Sequence, residues 1–258
     1  EGGAMLGAIV GDVIGSVYEG RPTKRLDFDL FPPGARFTDD TVLTVALADA
    51  ILNDADYAEC MRDYARKYPN AGYGKAFLLW MQKAGGPYTS HWNGSAMRVS
   101  PVGLAFDSVD AVLAEAERSA VVSHDHPEAI HGAQATALAV FMARSGKSKD
   151  AIRGEIAGRF GYDLDRTVEG IRPEYAFDVT CQGSVPEAII CFLDSHDYES
   201  AVRNAVSLGG DADTQAAIAG AIAAQHYGAI PPELVTRTNA VLPAEFISVV
   251  DAFHKRYS

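Results

Sequence analysis

The sequence is short of basic residues, with 22 lysines and arginines against 34 aspartates and glutamates and a formal net charge of −12. Such an acidic chain is a poor partner for nucleic acid or for an anionic membrane surface. The sequence also lacks an apolar run of the ~20 residues that a membrane-spanning helix needs, because Asp12 and Glu19 interrupt the best candidate. We therefore expect neither partner, and an anionic substrate would need locally bound cations.

Cysteines are few, and Cys60, Cys181 and Cys191 have no paired spacing. A disulfide framework is therefore not expected, which favours a reducing, cytoplasmic location. The sequence has no Gly-x-Ser-x-Gly elbow and no phosphate-binding P-loop, so nothing supports a serine hydrolase or a nucleotide kinase.

Strand-like alternation is scarce, since residues 121–122 and 177–179 are too short or too mixed to build a sheet. The Ala-rich periodic stretches instead predict an all-α protein. The predicted helices are 4–17, 40–53, 56–67, 74–84, 101–116, 126–144, 148–158, 164–170, 185–194, 197–206, 213–226, 231–239 and 243–256. Segments 20–37, 68–73, 85–100 and 171–184 are predicted loops. With 258 residues and 48% hydrophobic content, we expect one domain over 5–258, after a tag remnant at 1–4.

Small residues mark two of the predicted helices. Gly7, Gly11 and Gly15 recur every four residues, which places them on one helical face that a second helix could approach closely. Gly220 lies among alanines in the stretch 213–226 and predicts a second close helix contact.

Two aspartate-rich turns lie far apart in the chain, at 38–41 and 209–214, and each leads into a predicted helix. Their side chains offer only hard oxygen donors, which suit magnesium or manganese. The candidate ligands are Thr38, Asp39, Asp40, Asp211, Asp213 and Thr214. Each turn alone also fits an ordinary helix N-cap. If the turns meet, two charges at ~4 Å repel by about 4 kcal/mol, so four acids would need cations. If they stay apart, both are solvated caps.

Three other motifs have weaker interpretations. Segment 91–98 combines aromatic, amide, glycine and hydroxyl groups that could contact a phosphate and a base. Segment 123–131 holds three histidines, but it lacks the spacing of a metal cluster and the partner motifs of a phosphohydrolase. A prenyl-diphosphate enzyme would need a third acid soon after Asp40, where Thr41 and Val42 stand instead.

In their order, the motifs resemble those of the ADP-ribosylglycohydrolase family, which contains dinitrogenase-reductase-activating glycohydrolase and the ADP-ribosyl-acceptor hydrolases. The resemblance covers essentially the whole chain after Met5. It rests on segments 7–19, 37–41, 93–98, 123–124, 208–214 and 227–228. It implies an all-α, compact orthogonal helical bundle that holds two magnesium ions, or manganese ions in some members.

Residue by residue, the resemblance makes the six oxygen donors of the two turns the metal ligands. It assigns catalytic roles to Glu19, Asp39, Asp40 and Asp211, with Glu19 gating the site or orienting water, and it makes Asp12 a buried structural acid. It assigns substrate binding to Ser90, His91, Asn93, Gly94, Ser95, Met97, His124, Gly209 and Gly210. His91 or Trp92 would stack on adenine, although Trp92 stands where many relatives have glycine.

The implied reaction is hydrolysis of the glycosidic bond at C1″ of the distal ribose, through an oxocarbenium-like transition state. The substrate would be an ADP-ribosylated protein or small-molecule conjugate. An arginine linkage is favoured, and serine-linked or other ADP-ribose conjugates stay open. The alternative is a binding protein rather than an enzyme, namely a non-catalytic relative that binds ADP-ribose. Retention of all six candidate metal ligands argues against this alternative. We expect a monomer.

Overall fold

The computed structural model describes residues 3–82 and 85–257, and these ranges form fifteen α-helices. The helices are α1 (Ala4–Gly15), α2 (Asp39–Asn53), α3 (Tyr57–Lys67), α4 (Lys75–Gln82), α5 (Gly94–Met97), α6 (Ser100–Ala105), α7 (Val109–Ala120), α8 (Pro127–Arg144), α9 (Lys149–Phe160), α10 (Val168–Ile171), α11 (Cys181–Leu193), α12 (Tyr198–Ser207), α13 (Ala212–Tyr227), α14 (Pro232–Asn239) and α15 (Ala244–Tyr257). In the described ranges the only strand-like pairing is an isolated bridge between Trp92 and Thr180. The all-α prediction is confirmed.

The prediction of one helix at 101–116 is wrong, because α6 and α7 divide this stretch. Phe106 adopts an extended conformation after α6, and the Ser108 side chain accepts a hydrogen bond from the Ala111 backbone N–H. This serine cap satisfies an N–H that has no partner within a new helix, so a second helix starts here. The short helix α5 lies within the predicted loop 85–100.

Part of the sequence prediction falls outside the described residues. These are residues 83 and 84 of the predicted helix 74–84, residues 1 and 2 of the predicted tag remnant, and residue 258 of the predicted domain. Ala4, which was assigned to the same remnant, opens α1 and is fully buried.

Helices α1 and α13 pack against each other along the small-residue faces that the sequence indicates. A Cβ atom added to Gly11 would lie 2.1 Å from the Ala216 carbonyl oxygen, and one added to Gly220 would lie 2.6 Å from the Gly7 oxygen. A Cβ on Gly15 would lie 2.5 Å from the Asp213 Cα atom. Both small-residue faces therefore make close helix contacts, as predicted, and they make them with each other. This packing brings the N-terminus of α13 to the C-terminal end of α1.

The segment between α1 and α2 has little secondary structure, and basic side chains fix its backbone. Lys24 donates to the carbonyl oxygens of Tyr175 and Leu208, which ties the segment to the turn before α13. Arg203 on α12 donates to two carbonyl oxygens of the segment, and Arg237 on α14 donates to a third. These contacts hold the segment that carries Glu19 against the rest of the protein. None of the described helices has the length and apolar character needed to cross a membrane.

Candidate functional site

The two aspartate-rich turns meet, because the N-termini of α2 and α13 lie side by side. The Thr214 hydroxyl donates to Asp40 Oδ1 at 3.1 Å, although the two residues are 174 positions apart in the sequence. Asp40, Asp211, Asp213 and Thr214 are all buried. The turns therefore form one shared cluster of oxygen atoms rather than two separate solvated caps.

Asp12 on α1 fixes the start of α2. Its buried carboxylate accepts hydrogen bonds from the Thr38 backbone N–H at 2.9 Å and hydroxyl at 2.6 Å, and from the N–H and hydroxyl of Thr41. Burial raises the pKa of Asp12, and the bonds from Thr38 and Thr41 oppose this shift. These four bonds give Asp12 the structural position expected for it.

The carboxylates form two groups with the spacing of a metal site. Asp12, Asp40 and Asp213 make up one, and Glu19, Asp211 and Asp213 make up the other; within each, the candidate ligand atoms lie within 4.8 Å of one another. Asp213 belongs to both groups. Glu19 is the exposed member, so the second group is the one that opens toward solvent.

The crowding of these acids shifts their pKa values upward. Burial, followed by repulsion from Asp12 and other acids, raises the pKa of Asp39 to about 8. Burial and neighbouring carboxylates also raise the pKa values of Asp40 and Asp213 well above the usual range. Without a counter-charge, these groups favour the protonated form. A cluster of carboxylate and hydroxyl oxygens with uncompensated negative charge suits a hard divalent cation such as magnesium or manganese.

A cleft of about 170 Å³ opens above this cluster. Its lining includes Asp39, Asp40, Asp211 and Asp213, with α4 on one side and the segments of Trp92 and His124 on another. A larger cavity of about 850 Å³ lies elsewhere, between α6, α8, α13 and α15. Among the described residues its only carboxylate is that of Asp107, which already pairs with Arg144 at 2.7 Å. The smaller cleft is therefore the candidate site, because the acids converge there.

Several of the predicted substrate-binding residues line the cleft. Asn93 donates to Asp211 Oδ2 at 2.7 Å and to the Ser184 hydroxyl at 3.2 Å, which orients this carboxylate. Met97 lies with its sulfur 3.9 Å from the Thr214 hydroxyl. Gly94 and His124 complete this side of the lining.

The other predicted substrate-binding residues lie outside the lining of the cleft. Ser95 is fully buried and donates to the Ala129 carbonyl oxygen at 2.8 Å, and the Ser90 hydroxyl accepts from the Trp92 N–H. His91 is exposed, while Gly209 and Gly210 are buried in the turn that leads to α13. The assignment of these five residues to substrate binding stays a prediction.

Tyr88 and Arg36 line the cleft but were missed at the level of sequence. Tyr88 lies in a loop whose motif begins only at residue 91, and nothing in its neighbours distinguishes it. Arg36 comes directly before the Phe37–Thr41 motif, so its position beside the motif was the available signal. Burial and the charge of Asp211 raise the pKa of Glu19, and the charge of Arg36 opposes this shift.

Comparisons with known proteins agree with this geometry. The sequence matches the model of the ADP-ribosylglycohydrolase family over residues 2–257. It is 29% identical to mouse ADP-ribosylhydrolase ARH3, with 88% of this chain and 83% of that protein covered. It is 26% identical to the ADP-ribosylarginine hydrolase Tri1 of Pseudomonas putida strain GB-1, with 91% and 73% covered. A solved structure described as an ADP-ribosylglycohydrolase-related protein complex aligns with a TM-score of 0.77 and 29% identity, covering 99% of this chain and 97% of the other.

Proposed function

The chain belongs to the ADP-ribosylglycohydrolase family, and on this basis we propose that it is a magnesium-dependent hydrolase that frees ADP-ribose from ADP-ribosylated arginine on proteins. The observation that carries the proposal is the meeting of the two turns. Together with Asp12 and Glu19, the acids of the turns form two groups that share Asp213, beneath the cleft.

The candidate ligands of two magnesium ions are the six oxygen donors of the turns, together with Glu19. Bound cations would offset the repulsion between the carboxylates and supply Lewis acidity beside the ribose of the substrate. Asp12 holds the Thr38 turn in place through its four hydrogen bonds, and Asn93 holds Asp211 through its amide. These two contacts fix the donors before the substrate arrives, so less ordering is needed on binding.

The carboxylates also suit the charge that develops during glycosidic cleavage. The transition state is oxocarbenium-like, so negative charge near C1″ stabilises it. Glu19 is the exposed acid of the second group and lies next to Asp211 and Asp213. We assign to Glu19 the orientation of the attacking water, because it is the acid of this group that solvent reaches.

The acidic character of the cleft supports a cationic acceptor. A guanidinium carries positive charge in a planar group that pairs well with carboxylates, whereas a serine acceptor is neutral. Glu19 and Asp39 both line the cleft, and the whole chain has a net charge of −12. The Pseudomonas putida relative is named for the arginine linkage, which points the same way.

The test is release of ADP-ribose from matched peptides. The purified protein is incubated with arginine-ADP-ribosylated or serine-ADP-ribosylated peptide, in magnesium or in EDTA, and release is followed by mass spectrometry. We expect release from the arginine peptide in magnesium only, and its loss in Asp211→Asn. Asp165→Asn is the matched control, because Asp165 is an exposed acid outside the cleft. Release from the serine peptide alone would contradict the linkage, and release from neither would contradict the hydrolase proposal.

A further inference from the structure

Arg98 is a fully buried cation close to the site, and no carboxylate pairs with it among the described residues. It ends α5, and its Nη2 donates to the Ser119 carbonyl oxygen at 3.0 Å and to the Ser123 hydroxyl at 2.9 Å. Burial lowers its pKa to about 10, so it stays charged at neutral pH. Burying an unpaired charge costs free energy. Its contact with Ser123 therefore suggests that the buried charge has a function.

Ser123 connects Arg98 to His124. Arg98 donates to one lone pair of the Ser123 oxygen, which leaves the hydroxyl proton free for another partner. His124 Nδ1 lies 2.8 Å from the same oxygen. The positive charge of the guanidinium favours an arrangement in which the hydroxyl donates to Nδ1, because this places the lone pair of Nδ1 toward Arg98; Nδ1 must be unprotonated to accept the bond. A neutral imidazole in this arrangement carries its proton on Nε2.

The other side of the His124 ring faces the cleft. A Cβ atom added to Gly94 would lie 2.9 Å from His124 Nε2, so the absence of a side chain at this position leaves the nitrogen room. The Tyr88 hydroxyl lies 3.2 Å from Nε2 and 3.4 Å from Nδ1, beside both ring nitrogens. Gly94, Tyr88 and His124 all line the cleft. Nε2 is thus placed where a ligand in the cleft can reach it.

We propose that Ser123, whose oxygen is held by Arg98, is a positioning residue that keeps His124 in the Nε2–H tautomer, so that the ring donates a hydrogen bond to an oxygen of ADP-ribose. This inference rests on the proposed function for the identity of the ligand. The opposite tautomer would point a lone pair at an anionic diphosphate oxygen and repel it.

The tautomer of His124 can be measured directly by NMR on protein labelled with ¹⁵N-histidine. Long-range ¹H–¹⁵N spectra distinguish the two neutral tautomers, and His124→Gln identifies the signals of this ring among the seven histidines. We expect a wild-type ring with an unprotonated Nδ1 and a protonated Nε2. Ser123→Ala should populate both tautomers and weaken ADP-ribose binding in magnesium chloride about tenfold, as loss of one hydrogen bond to a charged group implies. Ser123→Thr keeps the hydroxyl and should restore both readouts.

Ser119→Ala is the matched control, because its hydroxyl is buried near the end of α7, four residues before Ser123, and donates to the Ala116 carbonyl oxygen, away from His124. It should change neither the tautomer nor the affinity. A wild-type ring protonated on Nδ1 would overturn the proposal, and so would a Ser123→Ala variant with unchanged tautomer and affinity. A wild-type protein with the Nε2–H tautomer that neither binds nor releases ADP-ribose would refute the proposed function while supporting the relay through Ser123.

Discussion

Thr214 and Asp40 are hydrogen-bonded across the meeting point of α13 and α2, with the threonine hydroxyl 3.1 Å from Asp40 Oδ1. The bond joins residues 174 positions apart, and each of them opens a helix. Two features bring these helix ends together. Helix α1 packs closely on α13, and Asp12 on α1 accepts hydrogen bonds from the N–H groups of Thr38 and Thr41 at the start of α2. A local contact at the site thus depends on backbone packing along two helices.

Replacing Thr214 with valine should weaken metal binding while leaving the protein folded. The substitution keeps the shape of the side chain but removes the hydroxyl that orients Asp40. Loss of a group that orients a metal ligand typically lowers metal affinity about 10–100-fold. Calorimetric titration with Mn²⁺ measures the change. Thr236→Val is the control, because Thr236 is exposed on α14; equal affinity in the two variants would contradict the role of Thr214.

Asp12→Asn should destabilise the protein. Three of the four bonds to Asp12 end on Oδ2 and one on Oδ1, so an amide NH2 group in place of either oxygen removes at least one buried hydrogen bond. Each buried group left without a partner costs about 1–3 kcal/mol. We expect the free energy of unfolding in magnesium to fall by about 2 kcal/mol or more, as measured by urea denaturation. Unchanged stability would show that relief of charge repulsion outweighs these bonds.

Gly11→Ala should be far more damaging than Gly158→Ala. The new methyl group at 11 would lie 2.1 Å from a backbone oxygen of α13, whereas at 158 it would meet nothing within 4 Å. Overpacking of this kind costs typically about 1–3 kcal/mol and here acts on two rigid helix backbones. The exposed change at 158, within α9, should raise stability by about 0.5–1 kcal/mol. Thermal unfolding of the two variants measures both effects, and similar midpoints would refute the tight α1–α13 packing.

Some of this arrangement was predictable from the sequence, for physical reasons that differ between elements. The four-residue spacing of Gly7, Gly11 and Gly15 is a local signal with a single geometric meaning, so the close helix contact followed. The break between α6 and α7 was missed because the apolar periodicity continues through Ser108. The helix boundary is set instead by the Ser108 side chain, which caps the N-terminus of α7. Tyr88 was missed because its place in the cleft depends on tertiary contacts, such as that of its N–H with the Ser123 carbonyl oxygen. The sequence motifs identified the acidic residues of the site, but they could not show that Asp213 belongs to both groups of carboxylates.

Stability in EDTA should fall as the pH rises from about 6 to 8. The pKa of Asp39 is raised to about 8, and those of Asp40 and Asp213 are raised well above their usual values. These groups keep protons in the folded state that the unfolded chain has released, so ionisation with rising pH favours unfolding. Magnesium should remove this slope, since a cation stabilises the ionised acids. Urea midpoints at several pH values measure it, and a midpoint that rises with pH in EDTA would contradict the crowding of the acids.

The most direct test of the central claim is the number of Mn²⁺ ions bound by the wild-type protein and by Asp213→Asn, measured by calorimetry and by electron paramagnetic resonance. Because Asp213 belongs to both acid groups, we predict two ions in the wild type and severely weakened binding of both in Asp213→Asn. Asp165→Asn should bind as the wild type does. Undiminished binding of two ions by Asp213→Asn, or no binding by the wild type, would contradict a shared metal centre at the meeting of the two turns.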